Sequence, residues 1–74
     1  MLLSELKKGE EGVIKKINAS KSFKNRLSSM GIVVKEIVKL KEYSLAKSTI
    51  EVKVSESYVA LRLKEAALIE VEKL

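Results

Sequence analysis

Short stretches of alternating apolar and polar residues recur along most of the chain. Ile50, Val52 and Val54 alternate with charged or polar neighbours, and Val38 and Leu40 show the same period. Because successive side chains of an extended chain point to opposite faces, each stretch predicts a strand with one buried face. Three more segments predict strands: 12–17 with Val13 and Ile17 on one face, 58–63 with Val59, Leu61 and Leu63 on one face, and a last strand around Ile69 and Val71.

The period changes once, in the segment that follows the first predicted strand. Phe23, Leu27 and Met30 recur at spacings of four and three residues, which places them on one stripe of an α-helix. Ser20 or Ser22 can cap the helix by accepting hydrogen bonds from free backbone N–H groups of its first turn. The sequence therefore predicts one short helix, whose inner stripe plugs the open end of the sheet.

Glycines and polar segments predict the remaining turns. Gly31 suits the left-handed residue that ends many helices, and the chain after it is expected to be strand-like. A short helical turn is expected at 3–6, followed by a tight turn between Gly9 and Gly12. The segment 43–48 is expected to be a hairpin loop, and 64–67 a single helical turn.

Five short strands and one helix favour closure of the sheet into a small barrel without exposed edges. The predicted fold is thus all-β, a small five-stranded barrel with one short α-helix, in a single domain that covers residues 1–74. A chain of this size buries only about 60% of the surface that its unfolded form exposes. Since it contains neither cysteine nor histidine, packing has to stabilise it without disulfides or a structural metal.

Positive charge is concentrated in the first half of the chain. The net charge is +5, and the segment 15–41 alone carries a formal +7. Such a surface can meet an acidic protein surface, anionic lipid headgroups or nucleic acid, or can simply be solvated. The segment holds one acid, Glu36, and eight basic residues: Lys15, Lys16, Lys21, Lys24, Arg26, Lys35, Lys39 and Lys41.

The residue types argue against catalysis and against metal binding. The sequence has no histidine, cysteine or aspartate, so the usual general base, the thiol nucleophile and the preferred ligands of iron and zinc are missing. Glu10 and Glu11 are adjacent and would point to opposite faces of an extended segment. No enzyme activity, cofactor or metal is therefore expected. A membrane-inserted segment is not expected either, because no apolar run approaches the roughly 20 residues that a membrane helix needs.

Three sequence blocks stand out: Leu3-Ser4-Glu5-Leu6 with Gly9-Glu10 and Gly12, then Arg26-Leu27 with Met30-Gly31-Ile32, then Ala60-Leu61-Arg62 with Glu65-Ala66. Taken together, they resemble the family of ferrous-iron transport protein A, FeoA. The resemblance implies an SH3-like barrel in the cytoplasm that assists FeoB, the membrane GTPase that transports ferrous iron, and that is not an enzyme. The alternative function is a basic nucleic-acid-binding or metalloregulator-associated SH3-like module, and weak self-association stays open.

Two positions depart from the pattern of that family. Its members usually carry glycine where this sequence has Lys35, which suggests a less demanding backbone angle here. They often carry proline and glycine in the loop that reads 44–48 in this sequence, which makes the rigidity of the loop an open question.

The helix and its flanks are the predicted partner-binding surface. Lys21, Lys24 and Arg26 are its outer residues, which either contact the transporter or are solvated. Leu27 and Met30 belong to the inner stripe, where the alternative is a purely structural role in the core. An ion pair between Arg62 and Glu65 is expected to stabilise the last helical turn.

Overall fold

The computed structural model describes residues 1–46 and 48–74. It confirms the predicted all-β fold with five strands and a short helix, and the two single helical turns lie where the sequence predicts them. The predicted hairpin loop at 43–48 includes Lys47, which lies outside the described residues. In chain order the elements are a 3-10 turn at Leu3–Glu5, β1 at Glu11–Ile17, α1 at Lys21–Ser29, β2 at Ile37–Tyr43, β3 at Thr49–Val54, β4 at Ser57–Arg62, α2 at Leu63–Ala66 and β5 at Ile69–Lys73.

The five strands form one antiparallel sheet in the order β4-β3-β2-β1-β5. The outer edge of β5 is covered by the start of the chain, where the Met1 carbonyl accepts a 2.7 Å hydrogen bond from the Val71 N–H and Leu2 bridges to Glu70. The described part of β4 pairs only with β3. The edge of β5 is therefore covered by the start of the chain and not by closure of the sheet, and β4 keeps an edge with no strand partner among the described residues; the prediction that closure removes both edges was wrong.

A bulge in β1 changes which side chains face the core. The pairing of β1 with β5 shifts register between Ile14 and Lys16, which adds one residue to β1 at this point. Ile14 and Ile17 are consequently both buried, while Lys15 and Lys16 are both exposed. The expectation that Val13 and Ile17 share the inner face was wrong, because strict alternation fails across the bulge.

The helix α1 packs its predicted stripe onto the sheet. Leu27 is fully buried at 0% exposure, and Phe23 and Met30 are half-buried against the same core. The Ser20 hydroxyl accepts from the Phe23 N–H at 3.2 Å, so Ser20 is the cap of the helix. Gly31 follows with φ +87°, the left-handed conformation that its position predicts.

The segment between α1 and β2 is a turn instead of a strand. The Glu36 N–H donates to the Val33 carbonyl at 3.1 Å, and the Lys35 N–H donates to the Ile14 carbonyl at 2.8 Å, which fastens the turn to β1. Lys35 has φ +80°. The expectation of a less demanding backbone angle at Lys35 was wrong, since the lysine adopts the left-handed conformation that glycine adopts without steric cost.

The sequence predicts that Tyr43 begins the hairpin loop, but in the structure it is the last residue of β2. Its side chain is half-buried, and its hydroxyl donates to the Leu6 carbonyl at 2.6 Å while lying 3.0 Å from the Ser4 carbonyl. These contacts tie the first helical turn to the sheet.

A serine orders the described part of the β2–β3 loop. The Ser44 hydroxyl accepts from the Ser48 N–H at 3.1 Å and from the Thr49 N–H at 3.2 Å. Serine hydroxyls commonly stabilise turns by bonding to backbone N–H groups a few residues further on. The loop thus gains local order without proline or glycine.

Candidate partner-binding surfaces

The five predicted partner-binding residues do not form one continuous surface. Because successive residues of an α-helix are about 100° apart, Lys24 and Arg26 are separated by about 200° around α1 and lie on opposite flanks. Lys21 is exposed in the first turn, Met30 is half-buried at the end, and Leu27 lies in the core. Leu27 can therefore support the surface from below but does not reach it.

Arg26 connects α1 to α2. Its guanidinium donates to the Glu65 carboxylate at 3.2 Å and lies 5.3 Å from the centroid of the Phe23 ring, while 60% of its side chain stays exposed. The same carboxylate accepts from the Arg62 backbone N–H at 2.9 Å. The expected ion pair between Arg62 and Glu65 was wrong. Glu65 forms its ion pair with the side chain of Arg26 and accepts a hydrogen bond from the backbone of Arg62.

A groove of about 520 Å³ lies between the end of α1 and the β3–β4 hairpin. Tyr58 stands on its wall with 56% of its surface exposed, and the ammonium groups of Lys41 and Lys53 lie 6.0 and 5.9 Å from the centroid of its ring. We call it the tyrosine groove. Its lining residues are Ser29, Met30, Gly31, Val54, Ser55, Ser57, Tyr58, Val59 and Ala60.

Sequence reasoning did not identify the tyrosine groove. It placed Tyr58 at the start of the predicted strand 58–63 and did not place it beside the end of α1. The residues that line the groove come from two segments that are distant in the sequence, so no local motif indicates it. The open edge of β4 runs along the same region, and an unpaired strand edge can bond to an extended segment of another chain.

A second groove, of about 360 Å³, lies on the Lys24 flank of α1. Three lysines from β1 and α1 surround apolar side chains of the turn between α1 and β2, and no acidic residue is among the residues that line it. We call it the lysine groove. Its lining residues are Lys15, Lys16, Ile17, Lys24, Asn25, Ser28, Ile32, Val33 and Val34.

Two acidic residues of the described chain are paired with lysines that do not line the lysine groove. Lys73 lies 2.6 Å from the Glu10 carboxylate and lowers the pKa of that group, and Lys8 does the same for Glu42 at 2.9 Å. At the lysine groove itself, Lys15 lies 3.8 Å from Glu72, with both side chains mostly exposed to solvent, where such pairs are weak.

Lys16 and Lys24, by contrast, form no ion pair with any residue that the structure describes. Their ammonium groups are therefore available to an external anion. Lys16 and Lys24 thus leave positive charge without an ion-pair partner at this groove, while Glu70, the register partner of Lys16 on β5, accepts from the side-chain amide of Asn18.

Metal-binding geometry is not found within residues 1–46 and 48–74, where no three acidic side chains converge on one point. Glu10, one of the two adjacent glutamates, is engaged by Lys73 and by the Lys7 backbone N–H. In the same described ranges no helix has the length and apolar character needed to cross a bilayer.

Comparisons with known proteins agree on one family. A model of the FeoA domain matches residues 1–73. A protein of Campylobacter jejuni that is named as an Fe(2+) transport protein A is 44% identical over 71 residues, which are 96% of this chain and 96% of the relative. The solved FeoA protein of Chlorobium tepidum matches with a TM-score of 0.95 at 30% identity, covering 100% of this chain and 70% of that chain.

Two further solved structures define the fold class. The zinc complex of Stenotrophomonas maltophilia FeoA, described as a procaryotic SH3 domain protein, has a TM-score of 0.83 at 28% identity and covers 97% of this chain and 89% of its own. A manganese-dependent transcriptional repressor matches with a TM-score of 0.90 at 22% identity over 100% of this chain and 36% of its own, a likeness of fold alone. These structures confirm the predicted SH3-like fold, and with the family match over nearly the whole chain, this chain belongs to the FeoA family.

Proposed function

We propose that this protein is a cytoplasmic accessory of ferrous-iron transport that binds a membrane GTPase iron transporter of the FeoB type and modulates its activity or assembly. Membership in the FeoA family supports the transport role. The relative from Campylobacter jejuni is named for Fe(2+) transport, and the Stenotrophomonas maltophilia structure is described as a candidate activating factor for ferrous iron transport. The lack of histidine, cysteine and aspartate in the sequence supports a role in binding a partner over a role in catalysis.

The observation that carries the proposal is the composition of a surface formed by one side of α1 and the adjoining tyrosine groove, which we call the docking surface: Phe23, Arg26, Met30 and Tyr58. Arg26 lies over the ring of Phe23, and Met30 and Tyr58 line the tyrosine groove together. Aromatic residues, methionine and arginine are the types enriched at the centres of protein interfaces. This surface therefore suits a protein partner better than the rest of the described surface.

The docking surface is partly pre-organised. The ion pair with Glu65 holds the guanidinium of Arg26, and the packing of α1 on the core fixes Phe23 and Met30. Groups that are already ordered lose less conformational entropy on binding. Arg26 and Met30, both predicted from the sequence as partner-binding residues, belong to this surface, while Lys24 lies on the other flank of α1.

Co-purification with the transporter tests the proposal. The wild-type protein is expected to form a complex, and Tyr58→Ser is expected to weaken it about tenfold or more, as removal of a central aromatic residue does. Leu45→Ser is the matched control, since Leu45 is fully exposed in the β2–β3 loop and neither belongs to the docking surface nor lines the tyrosine groove. Absence of a complex, together with unchanged ferrous-iron uptake after deletion of the gene, would contradict the proposal.

The positive charge of the lysine groove favours a second candidate function, binding to nucleic acid. This groove presents no aromatic side chain on which a base could stack. A nucleic-acid binder would show affinity for DNA that falls steeply with added salt, and a filter-binding titration separates the two functions. We expect no specific DNA complex.

A further inference from the structure

We propose that the lysine groove is a site for anionic lipid headgroups, through which the protein contacts the surface of a membrane. Lys15, Lys16 and Lys24 surround the groove, and Val33 and Val34 form its apolar wall. The inference goes beyond binding to the transporter and uses a different flank of α1. Both surfaces can be occupied at the same time.

The apolar part of the site is exposed and held in place. Val33 is 38% exposed and Val34 is 48% exposed, although aliphatic residues of this size are mostly buried. The turn that carries them is closed by the hydrogen bond from Glu36 to Val33 and fastened to β1 by the bond from Lys35 to Ile14. The two valines are therefore exposed to solvent on a turn that two hydrogen bonds hold in place.

The charged part of the site selects an anionic ligand. Lys16 and Lys24 have no ion-pair partner among the described residues, and the weak pair of Lys15 with Glu72 lies in solvent. Lys35, which follows Val34, is exposed as well. Each lysine near an anionic bilayer surface contributes attraction that adds to that of its neighbours. A ligand that offers many negative charges in one plane fits this arrangement.

The residue types favour lipid over a protein partner. Lysine is depleted at the centres of protein interfaces, where aromatic residues, methionine and arginine are enriched, and none of these types lines the lysine groove. Lysines around short aliphatic side chains resemble the polar and apolar faces of interfacial membrane-binding segments. Contact of this kind places the protein at the level of the lipid headgroups, and no part of the groove crosses the bilayer.

Vesicle sedimentation tests the site with the full chain. The protein is expected to bind vesicles that contain phosphatidylglycerol and not vesicles of phosphatidylcholine alone, and added salt is expected to release it. Lys16→Gln combined with Lys24→Gln should weaken partitioning about 25-fold, at about fivefold for each lysine. Val34→Ser should weaken partitioning about threefold or more, since serine buries less apolar surface in the headgroup region than valine does.

A matched control separates the site from general charge. Lys7→Gln combined with Lys64→Gln removes the same number of charges from exposed lysines that neither line the groove nor form ion pairs. It should retain most of the binding. Thermal unfolding of every variant checks that the fold is intact, which is expected because all the substituted residues are exposed.

Three results would overturn the proposal. The first is absence of binding to phosphatidylglycerol vesicles at low salt. The second is an equal loss in the control variant, which would mean attraction by net charge alone. The third is loss of the transporter complex in the variant of Lys16 and Lys24 while its vesicle binding stays at the wild-type level, which would make the groove a protein interface. Failure of the proposed transporter complex alone would leave vesicle binding unaffected.

Discussion

The guanidinium of Arg26 on α1 lies 3.2 Å from the carboxylate of Glu65 on α2, although the two residues are 39 positions apart. Glu65 uses its other oxygen to accept from the Arg62 backbone N–H, where β4 ends and α2 begins. One carboxylate thus caps a helical turn and anchors the neighbouring helix.

A double-mutant cycle measures the coupling free energy between Arg26 and Glu65. Arg26→Ala and Glu65→Ala should couple by about 0.2 to 1 kcal/mol in the free energy of unfolding, because the arginine is mostly exposed. Glu65→Ala alone should cost about 1 to 2 kcal/mol, since it also removes the cap. Urea denaturation provides the values, with Lys64→Ala as the control on α2. Strictly additive effects would show that the pair contributes nothing.

Lys35→Gly should stabilise the protein by about 1 kcal/mol, since glycine adopts φ +80° without the steric cost that lysine has there. Lys39→Gly is a control of opposite sign, because glycine inside a strand destabilises it by about 0.5 to 1 kcal/mol. Thermal unfolding of both variants gives the comparison. A lower melting temperature for Lys35→Gly would mean that the lysine side chain contributes more than its backbone strain costs.

Leu27→Ala should destabilise the protein by about 2 to 4 kcal/mol, because the leucine is completely buried beneath α1. Lys21→Ala, on the exposed face of the same helix, should change stability by less than about 0.5 kcal/mol. Chemical denaturation checks both values. If Leu27→Ala unfolds like the wild type, α1 does not pack as described.

Tyr43→Phe should cost about 0.5 to 1.5 kcal/mol, because it removes the hydroxyl that bonds to the Leu6 carbonyl. Tyr58→Phe is the matched control, since this tyrosine is exposed and should change stability by less than about 0.5 kcal/mol. Hydrogen exchange of the first helical turn should accelerate only in Tyr43→Phe. Equal effects of the two substitutions would contradict the role of the Tyr43 hydroxyl.

The pair of Glu10 and Lys73 should make stability depend on pH in the acid range. The hydrogen bond from Lys73 lowers the pKa of Glu10 below its ordinary value of 4.5, so the unfolded chain binds this proton more readily than the folded protein does. The stabilisation is present above pH 4.5 and is lost as the pH falls through the lowered pKa.

Lys73→Met should raise the pKa of Glu10 and flatten the acid limb of the stability profile. Lys64→Met should leave the profile unchanged, because Lys64 forms no ion pair with the described residues. An NMR titration of the Glu10 carboxyl group checks the direction of the shift. A pKa that stays the same in Lys73→Met would show that the lysine does not cause it.

Periodicity alone located the five strands and α1, because burial of one face requires a fixed spacing of apolar residues. It failed at β1, where the bulge inserts a residue and places Ile14 beside Ile17 on the inner side. The expectation at Lys35 was drawn from the residue type and was wrong, because the backbone angle is set together with the hydrogen bond from the turn to β1, which the local sequence does not reveal.

The candidate surfaces were harder to predict from the sequence than the fold was. The helical positions of Lys24 and Arg26 follow from the period of the helix, but their partners come from distant segments. Glu65 was assigned to Arg62 because the two are three residues apart, whereas the fold brings Arg26 within reach. Val33 and Val34 were assigned to a strand-like segment, and only the turn shows that they are exposed.

The pairing of β5 with β1 affects how the chain folds during its synthesis on the ribosome. β1 lies between β2 and β5, and the Met1 amino group donates to the Val71 carbonyl across a separation of 70 residues. Contacts between such distant positions form slowly, because a long loop must close before they can stabilise anything. The nascent chain cannot complete its sheet until Ile69–Lys73 has left the exit tunnel, so the part of the core that Ile69 and Val71 complete stays open to water until then.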